Sequence, residues 1–303
     1  DQGYLIVPEL LNDDDLQPLI DEISEEIDRL AQQKHETGEL EHLYKDEPFE
    51  TRLAHISEEN PQIALSIWNG ALAGPAFLNT IAHPKLLDIA EQFCGPEIIA
   101  SSVYRLRPKV PTLEYQGAVP WHQDSGYVEG YCDDALILTV WMPLVDANVE
   151  NGCLWVIPGV HREGILEHAR RDQDRPYLVI PADTRPDIEP VPCEIPKGGA
   201  LLLHNLTPHA SFSNNPDRVR WSIDMRYQSA ELPTNAPITR LEHEIVGGTD
   251  DVPPACFPPE ADFLVRSTAR PDEVVTDPEK FERLRKEHMR RPVTPRWHRV
   301  VDE

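Results

Sequence analysis

Two kinds of apolar spacing divide the chain: three- and four-residue steps before residue 97, and alternating or continuous runs after it. The first spacing predicts helices with one packed face, the second half-buried or fully buried strands. Tyr4–Val7 reads as a short strand stopped by Pro8. Asn12 to Asp15 offers N-cap candidates, and Leu16, Leu19, Ile20, Ile23, Ile27 and Leu30 form the packed stripe of the helix that follows. Residues 36–60 are polar and are expected to be irregular. Further helices are predicted around 61–80 and from Pro84 to Phe93, the last stopped by Gly95-Pro96.

Strands are predicted at Ile98–Arg107, Ala135–Leu144, Cys153–Ile157, Leu178–Ile180, Gly199–His204 and Val219–Tyr227, each bounded by Pro, Gly or Asn. In the last, Val219, Trp221, Ile223 and Met225 alternate with Arg220, Ser222, Asp224 and Arg226. Beyond residue 230 the chain is Pro-rich until a helix predicted from Pro278 to Arg290. Helices followed by a run of antiparallel strands predict a mainly β domain with helices. A jelly roll or related barrel backed by the N-terminal helices fits the strand count. One domain is expected over 1–303, with a helical part at 9–95, a β core at 96–230 and a C-terminal extension at 231–303.

Composition narrows the function classes more than the fold. The chain has 28 Lys and Arg against 53 Asp and Glu, a net charge of −25. Such a surface repels phosphate backbones and anionic headgroups, so neither nucleic-acid nor membrane partners are expected. No apolar run approaches the ~18 residues of a membrane helix. Five cysteines stand far apart without a CxxC, the pattern of buried free thiols in a reducing compartment, and the expected location is cytoplasmic. The tail gathers Arg283, Arg285, Lys286, Arg290, Arg291, Arg296 and Arg299. They read as a solvated helix face or as a dock onto an acidic surface, of this chain or of a second copy.

Candidate chemistry begins at Trp121-His122-Gln123-Asp124. In an extended segment, residues two apart point to one side, so the imidazole of His122 and the carboxylate of Asp124 can reach one metal. A lone pair of this kind is weak. A second segment, Gly198 to Ser211, turns on glycine and enters a buried strand that carries a third ligand candidate. Two imidazoles and one carboxylate with open positions suit iron(II) and oxygen activation, although zinc accepts the same ligands. Asn214 to Asp217 is a turn signal and predicts a hairpin that returns Arg220 towards the metal, with Ser222 on the same face. A guanidinium there could grip a carboxylate through two charge-assisted hydrogen bonds. The other reading makes Arg220, Ser222, Asp224 and Arg226 a solvated strand face.

Four stretches together resemble the phytanoyl-CoA dioxygenase family of iron(II)/2-oxoglutarate oxygenases. They are Trp121–Asp124, Leu138–Leu144, Glu150–His161 and Gly199–Tyr227, with Gly3–Pro8 matching how such chains begin. The resemblance covers roughly residues 1–228. It implies a double-stranded β-helix core, iron held by His122, Asp124 and His209, and 2-oxoglutarate contacts at Trp141, Ser211 and Arg220. A further contact maps onto Val103–Lys109, where Val103, Arg105 and Arg107 share a face. His209 is preferred to His204, since only His209 has the arginine at the right distance and His204 would point to the opposite face of a regular strand. His161 belongs to a turn that shapes the barrel, Trp155 and Trp221 read as core, and Arg226 either meets substrate or pairs with Asp224 or another neighbour. The implied reaction is hydroxylation of a C–H bond of a small molecule by dioxygen, with succinate and carbon dioxide as co-products. Asp124 stands where halogenating relatives carry a small residue, which favours hydroxylation. The loops Ser125–Asp134 and His161–Asp187 and the segment after Tyr227 are expected to choose the substrate. Two rivals remain open, a metal-dependent hydrolase on the same ligands and a non-catalytic binding barrel.

Overall fold

The computed structural model describes residues 1–69, 72, 74–101, 105–111, 118–128, 130–171, 177–214, 217–232, 263–288 and 297–301. Val103, Arg290, Arg291 and Arg296 lie outside them, as do Glu129 of the Ser125–Asp134 loop, Asn215 and Pro216 of the turn signal, the fifth cysteine Cys256, and the side chains of Tyr131, Arg285 and Lys286.

Helix α1 (Asp13–Glu36) begins as its pattern predicts. The Asn12 side chain accepts from the Asp15 amide while Asp15 accepts from the Asn12 amide, so two orphan donors of the first turn are satisfied reciprocally. Its buried side chains are Leu16, Leu19, Ile20, Ile23, Ile27 and Ala31. The polar stretch 36–60 is not all irregular, because Phe49–Glu59 forms α2. Its period is masked by buried polar residues: Arg52 donates to Asp28 and to the Leu43 carbonyl, and Ser57 to the Leu53 carbonyl. The single helix expected at 61–80 is two, α3 (Pro61–Trp68) and α4 (Pro75–Ile81). Pro75 opens α4 because a first-turn residue needs no amide hydrogen, and the Glu22 carboxylate caps the amides of Ala76 and Phe77. Helix α5 (Pro84–Cys94) completes the layer.

Three antiparallel sets of strands follow, apart from one parallel pair at the end. The large sheet runs β1 (Tyr4–Val7), β10 (Ala200–His204), β5 (Ile137–Pro143), β12 (Arg220–Ser229), β2 (Ile98–Ala100) and β13 (Phe263–Arg266), with β3 (Arg105–Lys109) also on β12. The strand predicted at 98–107 is thus two strands. β2 pairs with Tyr227–Ser229 and β3 with Arg220–Asp224. The smaller sheet runs β4 (Val119–His122), β11 (His209–Ser211), β6 (Leu154–Val156) and β9 (Val191–Cys193). A third joins β14 (Val300–Val301), β7 (Ala169–Arg171) and β8 (Leu178–Val179). Helix α6 (Pro278–His288) matches the predicted C-terminal helix as far as it is described.

Alternation sorts the large sheet into two faces. Leu138, Val140, Met142, Trp221, Ile223, Met225 and Tyr227 pack with the helices in the main core. Trp141, Leu201 and Leu203 face the other way and pack with Leu154, Val156 and Cys193 of the small sheet. The order of layers is therefore helices, large sheet, small sheet, a jelly roll backed by helices. The expected hairpin between the His209 and Arg220 strands does not form: β11 pairs with β4 and β6, whereas β12 pairs with β2, β3 and β5. The chain leaves the small sheet at Ser211 and enters the large one at Arg220, and the Asn214 amide donates to the carbonyls of Lys109 and Arg218. The four described cysteines are free and buried. No described helix is long and apolar enough to cross a membrane.

Candidate active site

His122 ends β4 and Asp124 opens a short 3₁₀ turn (Asp124–Tyr127). Gln123 between them is extended, at φ −107° and ψ 142°, so the flanking side chains emerge on one side and its own on the other. That amide is wholly buried. It donates to the carbonyls of Gly164 (2.9 Å) and Leu206 (2.7 Å) and accepts from the Leu166 amide (2.8 Å). Gln123 thereby ties the segment between His122 and Asp124 to the loop at Gly164–Leu166 and, through Leu206, to the loop that precedes His209. Sequence reading passed over it because a glutamine in a loop carries no signal without its partners.

His209 opens β11 directly opposite His122 in the ladder. The imidazole centroids are 4.2 Å apart, and each Nε2 lies 3.9 Å from Asp124 Oδ1. One ligand atom from each of the three residues lies within 4.8 Å of the others, and all three side chains are buried. His122 Nδ1 meets the Pro120 carbonyl at 2.8 Å and His209 Nδ1 the Thr207 carbonyl at 3.0 Å. A carbonyl only accepts, so the proton of each neutral ring sits on Nδ1 and Nε2 keeps its lone pair facing Asp124. Carbonyl-held imidazoles of this kind are the usual arrangement behind metal-bound histidine. Burial, reinforced by the neighbouring His209, pushes the His122 imidazole well below its ordinary pKa. It is therefore the neutral, ligating form near pH 7.

Both oxygens of Asp124 have protein partners. Arg226 Nη2 donates to Oδ1 at 2.8 Å and the Thr139 hydroxyl donates to Oδ2. Burial pushes this carboxyl up, but the charge and hydrogen bond of Arg226 outweigh it and hold the group well below the usual carboxylate range. Arg226 also reaches Asp224 (3.1 Å), which takes a second arginine, Arg107, at 3.1 Å. Of the two roles open to Arg226, pairing is what the geometry displays.

The cationic residues deeper in the pocket are differently placed. Arg220 is 2 % exposed, its guanidinium carbon 5.3 Å from the centroid of Trp141. It donates to Ser222, while its Nε has no partner. Burial pulls its pKa down to about 9. Lys109, wholly buried beside it, donates to the Ser211 hydroxyl at 2.9 Å and to the Phe212 carbonyl. Burial and the Arg220 charge push Lys109 well below the usual lysine range. Among the described residues neither cation is within 4.0 Å of a carboxylate. Two buried positive charges left this way are costly, and they fit an anion arriving from outside. Lys109 was legible in principle, since it shares alternation with Arg105 and Arg107 on β3.

The solvated-face reading of β12 fails, because Arg220, Ser222 and Asp224 are buried, and Arg220 and Asp224 line a pocket with Leu154, His209 and Ser211 of the small sheet. Trp141, Ser211, Arg220, His122 and His209 all line one pocket, together with Trp68, Arg107, Thr139, Leu154, Leu203, Asp224 and Arg226. His204 is not on the His209 strand. It ends β10 in the other sheet, where its ring meets His161 at 5.3 Å, away from the triad. Trp221 is wholly buried on the helix side. In the loop expected to choose substrate, Tyr127 turns inward, its ring 5.4 Å from His122 and its hydroxyl accepting from the Leu178 amide.

Comparison with known proteins places this arrangement. The family model for phytanoyl-CoA dioxygenase matches residues 1–222. A phytanoyl-CoA dioxygenase of Arabidopsis thaliana is 26% identical over 266 residues, covering 77% of this chain and 92% of that protein. Phytanoyl-CoA dioxygenase 1 of Oryza sativa subsp. japonica is 36% identical over 98 residues, 32% of this chain and 34% of that one, so the match spans about a third of the rice protein. Among solved structures, the epimerase SnoN in complex with Fe3+, alpha ketoglutarate and nogalamycin RO superposes with a TM-score of 0.50 at 19% identity, over 88% of this chain and 94% of the other.

Proposed function

Because the chain belongs to the phytanoyl-CoA dioxygenase family, we propose that it is an iron(II)- and 2-oxoglutarate-dependent hydroxylase of a small-molecule C–H bond, releasing succinate and carbon dioxide. The observation that carries this reading is the pairing of two features in one pocket. Two carbonyl-held imidazoles and a carboxylate converge, and a buried guanidinium with an unpartnered Nε lies in the same pocket.

The donor set fits the metal. Two imidazole Nε2 atoms and one carboxylate oxygen leave further positions open, which suits iron(II). His122, Asp124 and His209 would hold it. Arg220 fits the far carboxylate of 2-oxoglutarate, since a second anion would satisfy Nε and offset a desolvated charge. Trp141 stacks against that guanidinium, and Ser211, held by Lys109, sets a hydroxyl beside it. Iron with 2-oxoglutarate supplies the activation of dioxygen that breaks a C–H bond, and the chain's task is placement and exclusion of water. Arg226 pairs with Asp124 and Asp224, and its charge helps keep the buried Asp124 ionised. Leu154, Leu203 and Ala210 line the wall and keep the pocket short of water. A hydrolase on the same triad leaves Arg220 and Lys109 without an anion to bind.

The test is anaerobic addition of iron(II) and then 2-oxoglutarate to the purified chain. A visible charge-transfer absorption that needs both is expected. No absorption change, with iron demonstrably bound, would count against a chelated keto acid. A screen of small molecules scored by succinate release above the uncoupled background would then identify the substrate.

A further inference from the structure

The segment Trp297–Val301 lies outside the 1–222 stretch that matches the family, yet it packs on the loop that carries Asp124. Trp297 Nε1 donates to the Gly126 carbonyl at 2.8 Å. Its ring lies 5.2 Å from that of His168, tilted by 38°. His168 is wholly buried and accepts the Gln123 amide hydrogen on Nε2 at 2.9 Å. Its Nδ1 meets the Leu166 carbonyl at 2.9 Å, which fixes the proton there and leaves Nε2 as the acceptor. Trp297 therefore bears on both flanks of Asp124, on residue 126 directly and on residue 123 through His168.

Glycine at 126 is what lets these groups close up. A Cβ there would stand 2.8 Å from the His168 ring, so any side chain would drive the imidazole off the loop. The strap is also anchored at its far end. Val300–Val301 pairs in parallel with Arg170–Arg171, and the Arg170 amide donates to the Arg299 carbonyl at 2.7 Å. Arg299 reaches Asp183 at 2.9 Å and Glu167 at 3.1 Å. At least one of the tail's basic residues thus spends its charge on the chain's own acidic surface. The segment is thus tied on both sides of His168.

We propose that Trp297 is a positioning residue for the metal loop, and that the terminal segment straps Asp124 into line with His122 and His209. The inference rests on reading those three residues as the metal ligands. Partners behind a ligand typically change metal affinity by ~10–100-fold when removed. A strap that merely fills space would alter melting without altering the metal site.

The experiment titrates the full chain with cobalt(II) under nitrogen, reading the visible spectrum, beside thermal melts of the metal-free protein. Trp297→Ala should weaken cobalt binding by ~10–100-fold while the metal-free protein still melts cooperatively. Trp297→Phe, which keeps the ring on His168 but loses the indole N–H, should recover part of that loss. Gly126→Ala, which leaves the tail's anchors intact, should reproduce the weakening from the opposite side. The proposal is overturned if Trp297→Ala and Gly126→Ala bind cobalt as tightly as the parent. His209→Ala separates the two ideas. Loss of binding there with none in Trp297→Ala removes the strap alone, and retained binding in His209→Ala removes the ligand assignment beneath it.

Discussion

Replacing Arg220 with methionine should change stability in opposite directions with and without 2-oxoglutarate. The folded guanidinium has a pKa of about 9, well below the ordinary arginine range, and burial is the cause. A base whose folded pKa is lowered is penalised wherever it is charged in both states. That penalty is therefore fully present below about pH 9 and is relieved only as pH rises above it towards the ordinary arginine range. At neutral pH the unliganded Arg220→Met protein, with a similar volume and no buried charge, should melt no lower than the parent, and higher if the void at Ser222 is small. With ligand the order reverses. Each hydrogen bond to a charged group contributes about 1.5–3 kcal/mol, so losing a two-pronged grip costs ~3 kcal/mol, taking the low end because Lys109 remains. That is a weakening of roughly 100-fold. At a ligand concentration giving the parent ~2.7 kcal/mol of stabilisation, the variant would retain ~0.4 kcal/mol. At ~2–4 °C per kcal/mol, a ligand-induced rise of roughly 5–10 °C shrinks to about 1 °C. The assay is differential scanning fluorimetry of metal-loaded protein, with and without 2-oxoglutarate. An undiminished ligand shift in Arg220→Met would refute the assignment of Arg220 to the keto acid.

Other perturbations test separate parts of the structure. Asp124→Ala and His209→Ala should each abolish iron(II) binding in anaerobic calorimetry, and near-parental affinity in either removes it from the ligand set. Glu97 is held down to about 2 by Ser267, Ala269 and Thr268, which donate to its carboxylate. Its contribution is present above the ordinary 4.5 and is lost as pH falls towards 2. Glu97→Gln should therefore lower Tm at neutral pH and flatten the decline between those values; an unchanged acid limb would contradict this. Gly198 sits at φ +77°, and a Cβ there would come within 2.1 Å of the Leu11 carbonyl oxygen. Gly198→Ala should cost at least ~1–3 kcal/mol in urea unfolding, and a neutral result would mean that the backbone can move away.

Much of the site was readable because its chemistry depends on short spacings. His122 and Asp124 are two apart, and an extended Gln123 delivers them together as alternation requires. The inward set Arg220, Ser222, Asp224 and Arg226 likewise follows from period two once the other set is recognised as core. What escaped depends on long-range pairing. The turn signal at Asn214 suggested a hairpin, but nothing local distinguishes a turn within one sheet from a crossing between two. Lys109, Gln123 and Thr139 acquire meaning only from partners far along the chain, at Ser211, Leu206 and Asp124. Helix α2 was hidden because Arg52 and Ser57 occupy inward positions that a pattern search reserves for apolar residues. The strap was out of reach for the same reason, since Trp297 meets Gly126 across most of the fold.

The imidazoles of His122 and His209 hang from the small sheet and Arg220 from the large one, so under the proposed function the gap between layers would set how long a dicarboxylic acid can bridge them. Leu154 on one side and Leu203 on the other act as shims in that gap. If the triad and Arg220 hold the two ends of a keto acid as proposed, a shorter or longer side chain at Leu154 or Leu203 would work as a molecular caliper, shifting preference to acids one carbon longer or shorter without altering any group that touches their charges.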